Sequence, residues 1–108
     1  MNSLPATFAA LADDTRFAIV ERLMRDGART AGELADVAPI SAPAISRHLK
    51  VLREAGVIDQ KVEGPRRIYS VRPGAIRAIS DWTIDHRRFW EGSLDRLEKA
   101  LRNLEEKP

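Results

Sequence analysis

Apolar positions along the chain recur first at helical spacing, then at strand spacing, then at helical spacing again. Residues 5–11 form a short helix that turns at Ala12-Asp13-Asp14, and Asp13 is placed to cap a second helix over 15–25, closed by Gly27. Phe17, Val20, Leu23 and Met24 give this second helix its expected buried stripe. Thr30 caps a third helix over 31–37, with Leu34 and Val37 inward, before Pro39 ends it. Ala38-Pro39-Ile40 is then a turn into a helix over 41–56. Here Ser41 is the cap, Pro43 is tolerated in the first turn, and Gly56 is the left-handed stop. Ile45, Leu49 and Leu52 lie on one stripe of this helix, which leaves Pro43, Arg47 and Lys50 facing away.

Two alternating runs follow, 57–63 and 67–72, joined at the tip Glu63-Gly64-Pro65-Arg66. Alternation puts Ile68 and Ser70 on one face and Tyr69 and Val71 on the other. From Pro73-Gly74 onward the pattern becomes one long helix. Ile76, Ile79, Thr83, His86 or Arg87, Trp90, Leu94, Leu97, Leu101 and Leu104 recur at three and four residues, and Trp82 and Phe89 widen the stripe. The predicted architecture is mainly α with a small β-hairpin: a winged helix-turn-helix of about five helices plus a two-stranded wing, one domain over residues 1–108. A final helix of about 30 residues spans roughly 45 Å, more than so small a core covers, so a second copy of the chain is the expected cover.

Charge sharpens this picture through its distribution. The net charge is only +2, yet residues 41–72 carry a local net of +4, residues 1–40 a net of −2, and residues 73–108 none. Positive charge concentrated on the outward helix and hairpin suits double-stranded DNA, against the bland alternative of a solvated basic face. Arg66 and Arg67 project from the hairpin tip, where a phosphate or a narrow minor groove would meet them. There is no cysteine, hence no disulfide and no thiolate ligand. With no basic apolar leader and no apolar run near the ~18 residues of a membrane span, a cytoplasmic protein is expected. Enzymatic function is disfavoured: His48 and His86 lie on different helices, and there is no glycine-rich phosphate loop or spaced carboxylate pair. The alternative reading is a protein-interaction module using the C-terminal aromatic helix, which accounts for Trp82 and Trp90 but not for the basic hairpin.

Several separated motifs together resemble the ArsR family of bacterial repressors. Phe8-Ala9-Ala10-Leu11-Ala12-Asp13-Asp14-Thr15-Arg16 is similar to that family's Leu-Ala-Asp-Pro-Thr-Arg opening, with Asp14 where proline is commonest. Leu34-Ala35, Ser41, the run from Ile45 to Ile58, and Gly64-Pro65-Arg66-Arg67-Ile68-Tyr69-Ser70 match its recognition helix and wing in register. The resemblance runs from about residue 5 to residue 104. It implies a homodimeric repressor binding an inverted repeat near a promoter, without naming an operator or an inducer. It also implies a dimer interface built from the first and last helices: Leu4 and Phe8, with Ile79, Trp82, Phe89, Trp90, Leu94, Leu97 and Leu101.

Carried onto this chain, the family's groove-contacting positions fall at Ala42, Pro43, Ser46 and Arg47, beside the capping Ser41, with Lys50, Arg66 and Arg67 nearer the backbone. Ala42, Pro43 and Ala44 stand where polar side chains are frequent, so Arg47, suited to guanine O6 and N7, is the strongest candidate reader and Ser46 the second. His48 lies toward the buried side, and packing or a backbone hydrogen bond is the expectation for it. The family's thiolate sensors carry cysteine in the third helix, where this chain has Glu33-Leu34-Ala35-Asp36-Val37-Ala38. Its zinc pattern pairs Asp-x-His with His-x-x-Glu or His-x-x-His, whereas here Asp85 and His86 are adjacent and no second histidine follows. Asp85, His86, Glu91 and Asp95 weigh against a satisfied interface histidine, and neither a metal site nor a cofactor is expected. The Phe89-Trp90-Glu91 helix is similar to a subgroup often not metal-sensing.

Overall fold

The computed structural model describes residues 3–106. In chain order the elements are α1 (Leu4–Leu11), α2 (Asp14–Asp26), β1 (Arg29–Thr30), a 3-10 turn (Gly32–Leu34), α3 (Ala42–Glu54), β2 (Ile58–Glu63), β3 (Arg66–Val71), α4 (Pro73–Asp85) and α5 (Arg87–Glu106). Two compact units hold them, residues 1–77 and residues 78–108.

Caps set the helix starts in the first unit. The Ser3 hydroxyl accepts the Ala6 N–H at 3.2 Å, Asp13 Oδ2 accepts the Arg16 N–H at 3.0 Å, and the Ser41 hydroxyl accepts the Ala44 N–H at 3.3 Å. The side chains that α2 buries are Ile19, Val20 and Leu23. Phe17 and Met24, expected in that stripe, are 49% and 56% exposed. They sit seven residues apart on one line, roughly a quarter turn from the centre of the buried face, where only its edge is covered.

The expected third helix over 31–37 is a single 3-10 turn. Thr30 nevertheless caps it as predicted. Its hydroxyl accepts the Glu33 N–H at 3.2 Å while Glu33 Oε1 accepts the Thr30 N–H at 3.1 Å, a reciprocal capping box. The turn does not propagate because Gly32 is a poor helix former and Pro39 disfavours helical backbone at Ala38, too few residues to offset nucleation. Leu34 is fully buried, and Val37 is partly buried against the core.

Ile45, Leu49 and Leu52 are buried as their spacing predicts, on α3. Gly56, at φ 77°, turns the chain out of α3, and the Val57 N–H donates to Leu52 O at 3.0 Å as the sheet begins. β2 and β3 form the predicted hairpin, paired from Ile58↔Val71 to Glu63↔Arg66, with Gly64 at φ 59° in the tip. The sheet has a third strand that pattern did not announce. Arg29–Thr30 pairs antiparallel with Tyr69 and Ile68, giving the order β1-β3-β2. Two residues carry no alternation to read, so only pairing with β3 makes them a strand. Tyr69 is buried and Val71 partly so, and they join Ile19, Leu34, Ile45, Leu49, Leu52, Val57 and Ile58 in one core. Each such large side chain contributes roughly 1.5–3 kcal/mol on burial.

The long C-terminal helix is interrupted at His86 into α4 and α5. The hydrogen-bond ladder continues across this residue but loosens, with His86 N–H to Trp82 O at 3.2 Å and Trp90 N–H to His86 O at 3.4 Å. A side chain competes there: His86 Nδ1 donates to the same Trp82 carbonyl at 2.7 Å. Among the described residues of 78–106 none is buried.

Candidate nucleic-acid interface

The amphipathic division of α3 builds the site. Its buried stripe fixes the helix by three core side chains, so Ala42, Pro43, Ser46, Arg47 and Lys50 are all exposed. Ser41, also exposed, holds the first turn through its cap. Lys50 Nζ lies 4.0 Å from Glu54 Oε1, a long and solvated pair that leaves the ammonium available. None of the ion pairs found among the described residues involves Arg47, Arg53, Arg66 or Arg67.

Helix and wing meet in a depression of about 410 Å³ lined by Ala31, Ser46, Lys50, Arg53, Arg67 and Tyr69. A neighbouring concavity of about 520 Å³ runs from Thr30–Glu33 to Pro65, Arg66 and Arg67. Four candidate residues are thereby gathered, Ser46 and Lys50 with the two wing arginines. Arg53 completes the group; sequence reasoning counted its charge but did not place it in the site. Its spacing of three from Lys50 and seven from Ser46 was the available signal. Arg72 belongs elsewhere, because its Nη2 donates to Asp59 Oδ1 at 2.7 Å across the base of the wing, and that carboxylate raises the Arg72 pKa. The Glu33 carboxyl beside the second concavity is held below its ordinary pKa, first by the Thr30 backbone N–H and then by the Thr30 hydroxyl.

Behind the exposed basic face of α3 lies a polar clasp. His48 Nδ1 is 3.5 Å from Arg16 Nη1 and 3.7 Å from Asp13 Oδ2. The partners of His48 are thus side chains, where packing or a backbone bond was expected. Arg16 Nε also donates to Ala10 O at 2.6 Å, so one guanidinium joins the end of α1 to the inner side of α3. Asp13 has its pKa lowered, chiefly by the Arg16 backbone N–H it accepts; desolvation opposes this, and the nearby Arg16 and His48 side chains each add a smaller lowering effect.

The remaining sequence candidates lie on α1, α4 and α5. Leu4 and Ile79 are partly buried, Phe8 and Trp82 are exposed, and Phe89, Trp90, Leu94, Leu97, Leu101 and Leu104 on α5 are 53–68% exposed. Of the residues weighed for a metal, His86 is held by Trp82 O, and Glu91 accepts from Arg87 Nε at 2.8 Å. Among the described residues no group of three or more His, Cys, Asp or Glu side chains gathers. No helix there is long and apolar enough to cross a membrane.

A buried helix stripe, an exposed basic face and an adjoining basic hairpin define a winged helix-turn-helix DNA-binding protein. A helix-turn-helix domain family matches residues 11–61. The transcriptional regulator Rv2034 of Mycobacterium tuberculosis is 46% identical over 79% of this chain and 76% of its own length. The transcriptional repressor SdpR of Bacillus subtilis is 35% identical over 72% and 86%. A crystal structure of an ArsR family transcriptional regulator superposes with a TM-score of 0.73 at 32% identity, covering 82% of this chain and 96% of that one. The chain belongs to the ArsR family of DNA-binding transcriptional regulators, a family of regulators and not of enzymes.

Proposed function

We propose that this protein is a homodimeric repressor that lays α3 of each subunit into the major groove of an inverted-repeat operator, in the cytoplasm. The observation that carries the reading is the single depression in which Ser46, Lys50 and Arg53 of α3 meet Arg67 of the wing. It joins a base-reading helix to a phosphate-contacting hairpin. Arg47 reads guanine and Ser46 assists, with Ala42 and Pro43 in the first turn; Lys50, Arg66 and Arg67 neutralise phosphates. The relative SdpR, named a repressor, supports the sign of regulation.

Dimerisation rests on the row of apolar side chains along α5, each more than half exposed, which a second copy would cover. In this reading residues 1–108 act as one winged-helix module whose first and last helices form the interface. Two copies would present two recognition helices about one DNA turn apart. The absence of cysteine leaves this regulator without the family's thiolate metal site. The test is a gel shift with operator and random duplex: Arg47→Ala should lower operator affinity about fivefold to 150-fold per half-site while the folded dimer persists. Unchanged discrimination between operator and random DNA would overturn the assignment of Arg47.

A further inference from the structure

We propose that the first turn of α3 reads the C5-methyl group of a pyrimidine, which is thymine in unmodified DNA. This rests on the reading that α3 enters the major groove, and adds a base identity to it. Ala42 and Pro43 are exposed on the same side of the helix as Ser46, Arg47 and Lys50. Residues 42 to 44 are Ala, Pro and Ala, so the first turn presents an apolar surface beside the Ser41 hydroxyl, which accepts the Ala44 N–H and keeps its own O–H.

Against a G·C pair, the Ala42 methyl and the Pro43 ring would strip water from the N7 and O6 acceptors without replacing its hydrogen bonds. Against T·A, the same surface buries the one apolar group that a base pair presents in the major groove. Arg47 is the fourth residue after Pro43, roughly 6 Å along the helix axis and about two base-pair steps away. Each half-site therefore carries a methyl-bearing pyrimidine about two pairs from the guanine that Arg47 contacts. Ala42 and Pro43 do not distinguish the exocyclic oxygen of thymine from the amino group of cytosine, and the Ser41 hydroxyl can donate to the one or accept from the other, so 5-methylcytosine should satisfy this turn in part.

The experiment begins with an operator selected by the intact protein from random duplexes and replaces each thymine of the half-site by deoxyuridine. At one position the loss of the methyl should weaken binding about fourfold per half-site and about fifteenfold when both half-sites are changed. Placing cytosine there and then 5-methylcytosine should restore a similar factor. In the double variant Ala42→Gln with Pro43→Gln, checked for folding by circular dichroism, the uracil penalty should fall within twofold. Binding indifferent to uracil at every thymine, or a penalty that persists in the double variant, overturns the proposal while leaving the Arg47 contact intact. Failure to select any specific duplex would instead overturn the DNA-reading function as a whole.

Discussion

α3 and α5 announce themselves by the same signal, apolar side chains three and four residues apart, yet they end in opposite environments. Ile45, Leu49 and Leu52 on α3 are 0–1% exposed, whereas Leu94, Leu97 and Leu101 on α5 are 53–64% exposed. The compact unit of residues 1–77 contains α1, α2 and a three-stranded sheet to close over α3. The unit of residues 78–108 contains only the end of α4 and α5, consecutive along the chain. Periodicity therefore states which face of a helix needs cover, and the number of other elements in the same unit decides whether the chain supplies it. For α5 the proposed cover is a second chain.

The comparison breaks most severely if α5 does not dimerise. Leu97→Glu places a carboxylate on the apolar row, where an unpaired buried charge is strongly unfavourable, so the subunits should separate. Operator affinity should fall more than about a hundredfold, because each recognition helix then binds without its partner's contribution. Sedimentation beside an operator titration reads both effects, and a Leu97→Glu protein that stays dimeric and binds normally would assign the row to another role. Leu49→Ala sharpens the same contrast from the other side. It should cost about 2–5 kcal/mol through an unfilled core cavity. That loss should be the same at every protein concentration, whereas the loss from Leu97→Ala should shrink as concentration rises.

Much of the fold was legible because the informative residues act locally. Ser41, Thr30 and Asp13 cap the turns that they were expected to cap, and Gly56 and Gly64 take the left-handed backbone that ends a helix or tips a hairpin. What was misread depended on partners distant in sequence. β1 exists only through Tyr69 and Ile68, about forty residues on. Phe17 and Met24 were placed inside because hydrophobicity does not say which part of a wide stripe is covered. The exposed positions of α3 were legible from its periodicity, but the junction of helix and wing was not: Arg53 joins the proposed site only through the depression shared with Arg67. The His48 clasp likewise needs Arg16, thirty-two residues away.

A smaller effect separates the wing from the helix within the proposed site. Arg66→Ala combined with Arg67→Ala should weaken binding to operator and random DNA alike. The slope of log affinity against log salt should flatten by roughly 0.9 for each phosphate that is no longer neutralised. Base discrimination should survive, in contrast to Arg47→Ala. An unaltered salt slope would show that these arginines do not touch phosphates.

The smallest expected effect concerns the clasp beneath α3. Asp13 caps α2 and faces both Arg16 and His48, and its carboxyl is held below the ordinary range first by the Arg16 backbone N–H. A folded-state pKa lower than the unfolded one contributes stability that is complete above the unfolded value and disappears as pH falls through the folded value. Asp13→Ala should therefore lower the melting temperature at pH 7. The gap to the parent protein should narrow progressively once the pH drops below about 4, the ordinary aspartate range. Asp13→Asn should retain more of the cap than alanine does, since its side-chain oxygen still accepts the Arg16 N–H, while losing the charge shared with Arg16 and His48. Thermal melts of the three proteins between neutral and acidic pH separate the two contributions. A gap between parent and Asp13→Ala that stays constant down to the acid limit would show that the ionised carboxylate adds nothing, and that Asp13 serves only as a neutral cap.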